Sequence, residues 1–206
     1  MGTAIDVASA DIEKRLVELY ATRRDEISAG LADYFTTYTG RYFEQLSARS
    51  DPLAITAVDV AALATLSVEL RGRAVAALLI ERNDEFNELL AKCPPPKTDM
   101  WDLAESAFDE GSALAKLYTA LKTVTGISTV RASKLLACKR PQLVPVRDTE
   151  VTKVLGLGRW FWVPLHRALQ NHELRDAISS TRPEIAGDVS VLRLLDVALW
   201  QQGKNS

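Results

Sequence analysis

The sequence has two cysteines, Cys93 and Cys138, and two histidines, His166 and His172. Two thiols so far apart give no disulfide framework and suit a reducing compartment. One bridge between them stays open as an alternative to two free, mostly buried thiols. So few histidines and cysteines cannot supply the ligand spacing of a zinc or iron–sulfur site, and neither metal nor cofactor is expected. An excess of one charge is also lacking. A net charge of -2 excludes a chain that coats nucleic acid or acidic membranes by bulk attraction, so such a partner has to be met by a local patch. Residues 1–10 show no basic region followed by an apolar run, so no signal peptide is expected. The most apolar stretch, Ala74 to Ile80, is too short to span a bilayer. The expectation is a soluble, cytoplasmic protein with no membrane partner.

What is present is helical patterning. With 206 residues, 47% of them hydrophobic, the chain can bury a substantial core. Apolar residues recur at helical spacing from Asp11 to about Ala32, from Thr56 to about Leu66, from Arg71 to Lys92, and from about Asp109 to Val124. A further helix is expected to open at Thr98 or Asp99. Three more follow, roughly Gly158–Gln170, Glu173–Thr181 and Val189–Gln201. Pro94-Pro95-Pro96 is the clearest break. Because apolar faces lie on both sides of it, the chain reads as a single all-helical domain over 1–206, with the helices of 1–93 packed on a core of 98–206.

The informative stretch is Leu121 to Gly156. It reads as helix, tight turn, helix, with Gly126 at the reversal, where a positive φ is commonly needed. Ala132 is small enough for the two helices to approach closely. Such a turn leaves backbone N–H groups at the start of the second helix open to a phosphate. Residues 121–160 carry eight basic side chains against two acidic ones, a net +6 that leaves -8 for the rest of the chain. Basic charge gathered beside the turn marks local binding to a nucleic-acid backbone. The residues expected to meet DNA are Gly126, Ser128, Arg131, Lys134, Lys139 and Arg140.

The runs Val124-Thr-Gly126-Ile127-Ser128-Thr-Val-Arg-Ala132-Ser and Val144-Pro145-Val146-Arg-Asp148-Thr149-Glu-Val151 resemble the helix-hairpin-helix superfamily of endonuclease III and related DNA glycosylases. The resemblance implies a DNA-glycosylase-like helical array around the hairpin. It also implies an essential aspartate some twenty residues beyond the hairpin, and Asp148 stands 22 residues after Gly126. In that role Asp148 would stabilise the developing oxocarbenium ion or activate water, acting on a base drawn out of the stack. Val130 stands where lyase-type members carry a lysine, so the resemblance implies at most a monofunctional hydrolase with no Schiff base. Ser128 replaces the second hairpin glycine. It either takes a positive φ at a cost of about 1 kcal/mol or the turn has another shape. The whole chain also resembles an uncharacterised actinobacterial family, a likeness that brings no activity.

Plainer readings accompany these. Asp148 in Asp-Thr-Glu-Val is an ordinary helix cap. Lys134 and its basic neighbours form a solvated or phosphate-facing helix side. Arg159-Trp160-Phe161-Trp162 suggests base stacking, though core packing accounts for it more simply. The aromatic segment Tyr34 to Phe43 reads as core, and His166 as a packing or surface residue. The leading expectation is DNA binding through the hairpin, with possible N-glycosylase activity through Asp148. Two alternatives stand beside it: a non-catalytic scaffold that keeps the fold, and a small-molecule or nucleotide-binding protein using a cleft beside Asp148.

Overall fold

The computed structural model describes residues 4–156 and 162–204, with side chains from Ser9 onward, and no strand occurs among them. Among the described residues twelve α-helices succeed one another: α1 (Ala4–Thr22), α2 (Arg24–Thr37), α3 (Tyr42–Ser47), α4 (Ala57–Thr65), α5 (Gly72–Ala76), α6 (Asn83–Ala91), α7 (Ala113–Lys122), α8 (Thr129–Lys139), α9 (Thr149–Leu155), α10 (Trp162–Ala168), α11 (His172–Ser179) and α12 (Val191–Lys204). Among the described residues no helix is long and apolar enough to cross a membrane.

Polar side chains at the helix starts explain many of these boundaries, because the first N–H groups of a helix need outside acceptors. Thr56 and Asp59 form a reciprocal capping box on α4. Ser112, Ser128, Asp148 and Asn171 cap α7, α8, α9 and α11 through their side chains.

Several expected helices are shorter or divided. The Asp11–Ala32 segment breaks at Arg23. The Arg71–Lys92 helix is interrupted by a π-helical turn, Ala77–Glu81. There Arg82 N–H reaches back five residues to Ala77 O, at 3.0 Å. The Asn83 amide draws in the carbonyls of Leu78 and Ile55, at 2.7 and 2.9 Å. The helix expected from Thr98 is replaced by two 3₁₀ turns, Met100–Asp102 and Glu105–Phe108. The start of the helix expected from Gly158, with Arg159, Trp160 and Phe161, lies outside the described residues.

The two halves of the chain interleave. Helix α1 packs on α10 and α11, α2 on α12, and α3 and α4 on α8, while α7 pairs with α8 and α9 with α12. One apolar cluster draws buried residues from all twelve helices, from Ile12 to Leu199. The ends of the chain are therefore brought against its centre, and this closes a cleft between α2, α8, α9 and α12.

A cleft built around Lys134 and Asp148

Helices α7 and α8 are in contact and are joined by a turn in which Gly126 takes φ +95°. Ala132 is fully buried, as close helix approach requires. Ser128 departs from a glycine-like role in a simple way. Its backbone is extended (φ -78°, ψ 171°) and its Oγ accepts the Arg131 N–H at 3.3 Å. The second turn position therefore needs a capping hydroxyl instead of a positive φ. The same cap occupies one of the N–H groups expected to be open to a phosphate. Arg131 stays partly exposed and donates from Nη1 to Gly126 O at 2.9 Å.

Three of the expected DNA contacts are corrected by burial. Lys134, Lys139 and Arg140 are only 6%, 3% and 1% exposed. Lys139 Nζ lies 2.6 Å from Asp59 Oδ2 and also donates to Ser50 Oγ and Asp51 O, which uses all three of its N–H groups. Arg140 donates to the carbonyls of Leu90, Pro52, Pro94 and Lys139. These side chains tie α8 to the 50–52 turn, α4 and the end of α6. They do not face solvent, where a DNA backbone would run.

Lys134 belongs to a different arrangement. Its Nζ lies 3.1 Å from Asp148 Oδ2 and 3.3 Å from Leu66 O. Asp148 caps α9, with Oδ1 accepting the Glu150 N–H at 3.2 Å. The capping reading therefore holds, and the carboxylate also faces a cation. The aspartate side chain is 22% exposed against 8% for the lysine. The segment leading to Asp148 is clamped from two sides. Ser133 Oγ on α8 bonds Pro145 O and Arg147 N–H at 3.2 and 3.1 Å, and Asp196 Oδ2 on α12 accepts the Val146 N–H at 2.6 Å.

Lys134, Asp148 and Asp196 line a cleft of about 270 Å³ whose other walls include Tyr34, Tyr38 and Trp200. The Tyr34 and Tyr38 rings stack at 5.4 Å and 10°, and Trp200 stands edge-on to both, at 5.8 and 5.5 Å. Tyr34 Oη accepts from Arg193 Nη2 at 2.7 Å, and Arg193 Nε pairs with Glu44 at 2.5 Å. Gly40 permits this packing, since a Cβ there would fall 1.8 Å from Tyr34 Oη. Ser67, also on the cleft, is the one non-glycine residue at positive φ among the described residues (φ +57°). Such strain persists only where the surroundings hold it in place. It directs the turn after α4, whose Leu66 carbonyl meets Lys134.

Burial pushes the carboxyl of Asp196 well above the ordinary range, against the opposing pull of the Val146 N–H and Arg193. Burial likewise raises Glu44 and Tyr34. The remaining expected residues settle as packing. His166 is buried with Nε2 on Leu103 O at 3.0 Å, and Trp162 stands edge-on to Tyr118 at 5.2 Å. Both cysteines are buried and free. Among the described residues no three His, Cys, Asp or Glu side chains converge on a metal-sized site.

Sequence reading singled out the turn at Gly126 and the cap at Asp148, but not Asp196, Tyr38 or Trp200 as cleft residues. Their signals, an apolar helix face with one acid and aromatics at helical spacing, are identical to those of a core.

The fold and this cleft define an all-helical protein with a small, aromatic-walled polar cavity. Residues 27–203 match the family of unknown function DUF6308, and the chain belongs to that family. The matched region holds α7, α8, the turn between them and every cleft residue named above. No curated protein and no solved structure gives a significant match to the chain.

Proposed function

We propose that the protein binds a planar, polar small molecule of nucleobase or nucleoside size in the cleft beside Asp148. The observation that carries this reading is the Lys134–Asp148 pair placed against the Tyr38 and Trp200 rings in one cavity. The pair sets a hydrogen-bond donor next to an acceptor. Lys134 has a third N–H beyond those used by Asp148 and Leu66, and Asp148 keeps lone pairs beyond those used by Lys134 and Glu150. A nucleobase edge offers the complementary acceptor and donor, and its face suits aromatic walls. The volume of about 270 Å³ lies just under the range of about 300–1,000 Å³ of drug-sized sites. A ligand of one or two rings fits that space.

Thermal denaturation with adenosine, guanosine, cytidine and thymidine tests the proposal. A ligand at about 100 times its Kd stabilises by about 2.7 kcal/mol, which raises the melting temperature by several degrees. Loss of that rise in Trp200→Ala is expected; no rise with any of the four contradicts the reading.

A second reading keeps the same cleft but brings the base to it on DNA: a monofunctional N-glycosylase with Asp148 as its catalytic carboxylate. Its support is the positive-φ turn at Gly126, followed 22 residues later by a carboxylate that both caps a helix and lines a cavity. With Lys134, Lys139 and Arg140 buried, backbone contact on this reading falls to Gly126, Ser128 and Arg131. It predicts salt-sensitive duplex binding that weakens in Arg131→Glu. Equal affinity of that variant and the wild type at low salt sets it aside. A scaffold without chemistry predicts neither response.

A further inference from the structure

Asp196 lines the cleft and takes no part in the Lys134–Asp148 pair. It is 3% exposed; its Oδ2 holds the Val146 N–H at 2.6 Å, and its Oδ1 has no hydrogen-bond partner among the described atoms. Titratable or charged groups on its own helix and on α1, α2, α3 and α9 lie within electrostatic reach of it. Arg193 stands one turn earlier on α12 and is tied to Glu44 of α3 and Tyr34 of α2. Asp148 heads α9 and is paired with Lys134 of α8. Tyr20 of α1 is buried within electrostatic reach of Asp196, and its hydroxyl has no hydrogen-bond partner among the described atoms.

The charges do not balance evenly. Three carboxyls, Glu44, Asp148 and Asp196, share two cations, and the ion-pair contacts assign Arg193 to Glu44 and Lys134 to Asp148. The third carboxyl has no ion-pair contact among the described residues and sits in the driest position. An isolated carboxylate there is costly, and the usual outcome is uptake of a proton.

We propose that Asp196 is the positioning residue and pH switch of the cleft: as a neutral acid it ties Val146 and so holds Asp148 against Lys134, and on losing its proton it sets a second negative charge beside Asp148 and releases the ligand. The proposal rests on the cleft being the ligand site. The direction of its pH dependence follows from burial, which makes the folded state hold this proton more tightly than the unfolded chain, where the value is 3.8. The stability contributed by Asp196 is therefore complete below about pH 3.8 and is lost as pH rises from there through the raised folded value.

The test compares the wild-type chain with Asp196→Asn, which keeps an oxygen for the Val146 N–H but cannot ionise. Melting temperatures are taken from about pH 4 to about pH 9, with and without adenosine, guanosine, cytidine and thymidine. The melting temperature of Asp196→Asn is expected to gain on the wild type by about 2–4 °C or more as pH rises. Wild-type affinity for the bound nucleoside is expected to fall about tenfold or more, a change of one pKa unit in coupling, while that of the variant stays flat.

Parallel melting profiles overturn the Asp196 proposal whether or not a nucleoside binds. Diverging profiles with no nucleoside bound at any pH overturn the ligand reading alone, because the melting curves report the Asp196 proton without ligand. If Asp196→Asn does not fold, Asp148→Asn carries the test. Removing the neighbouring charge is expected to shift the wild-type decline to lower pH, and an unshifted decline contradicts the proposal.

Discussion

Lys134 Nζ stands 3.1 Å from Asp148 Oδ2, and this contact joins α8 to the cap of α9. The lysine is the deeper partner, so the two single substitutions differ in consequence. Asp148→Asn leaves a buried ammonium without its counter-charge and is expected to cost about 2–4 kcal/mol, somewhat under the range for fully buried pairs. Lys134→Met leaves a carboxylate that water can still reach and that retains its Glu150 N–H, and costs less. Urea denaturation of both singles and the double mutant is expected to show a coupling of about 0.5–3 kcal/mol; additive losses would mean that the two groups do not interact.

Lys139 and Asp59 form a second pair, at 2.6 Å and fully enclosed. Lys139→Met is expected to lose about 3–5 kcal/mol, because Asp59 is left buried without its partner. Charge reversal at Lys139 or Arg140 is expected to unfold the protein. Far-ultraviolet circular dichroism of such variants separates this from a lost DNA contact: native spectra with weakened DNA binding would restore these residues to a binding surface.

Two glycines are expected to fail for different reasons. At Gly126 an added Cβ meets nothing closer than Ala74 Cβ at 3.6 Å, so Gly126→Ala pays only for φ +95°, about 1–2 kcal/mol. At Gly40 the Cβ would strike Tyr34 Oη, so Gly40→Ala displaces the ring held by Arg193 and deforms the cleft. Guanidinium melts are expected to rank Gly40→Ala as the more damaging, and only that variant should also lose nucleoside binding.

Burial pushes the Cys138 thiol well above its ordinary range, and the nearby Asp59 carboxylate acts in the same direction. Burial also raises Cys93. Thiolate, the reactive form, is thus suppressed at both positions. A thiol reagent at about pH 8 is expected to label neither cysteine in the folded protein and both in guanidinium. Rapid labelling of the native protein would contradict their burial.

The helical class, the turn at Gly126 and the cap at Asp148 were legible because each depends on neighbours in sequence: apolar spacing, a glycine between two helices, an Asp-Thr-Glu opening. The roles of Lys134, Lys139 and Arg140 were not. Their partners Leu66, Asp59, Ser50, Pro52, Leu90 and Pro94 lie 46 to 89 residues away. A basic helix segment looks the same in sequence whether water or carbonyls receive its N–H groups. The cleft was hidden for a related reason. Tyr34, Tyr38 and Trp200 have the spacing of core aromatics, and only the packing of α2 against α12 leaves an opening between them.

The most direct test of the cleft as a ligand site is the indole N–H region of the proton–nitrogen NMR spectrum, with the Trp200 resonance assigned by Trp200→Phe. Among the four tryptophans of the chain, Trp200 lines the cleft, whereas Trp101 and Trp162 do not. Titration with the nucleoside that raises the melting temperature is predicted to shift the Trp200 signal saturably, leave those of Trp101 and Trp162 in place, and lose the shift in Asp148→Asn. A saturable shift at Trp101 or Trp162 with Trp200 unmoved, or no shift at all, would contradict the assignment of this cleft as the binding site.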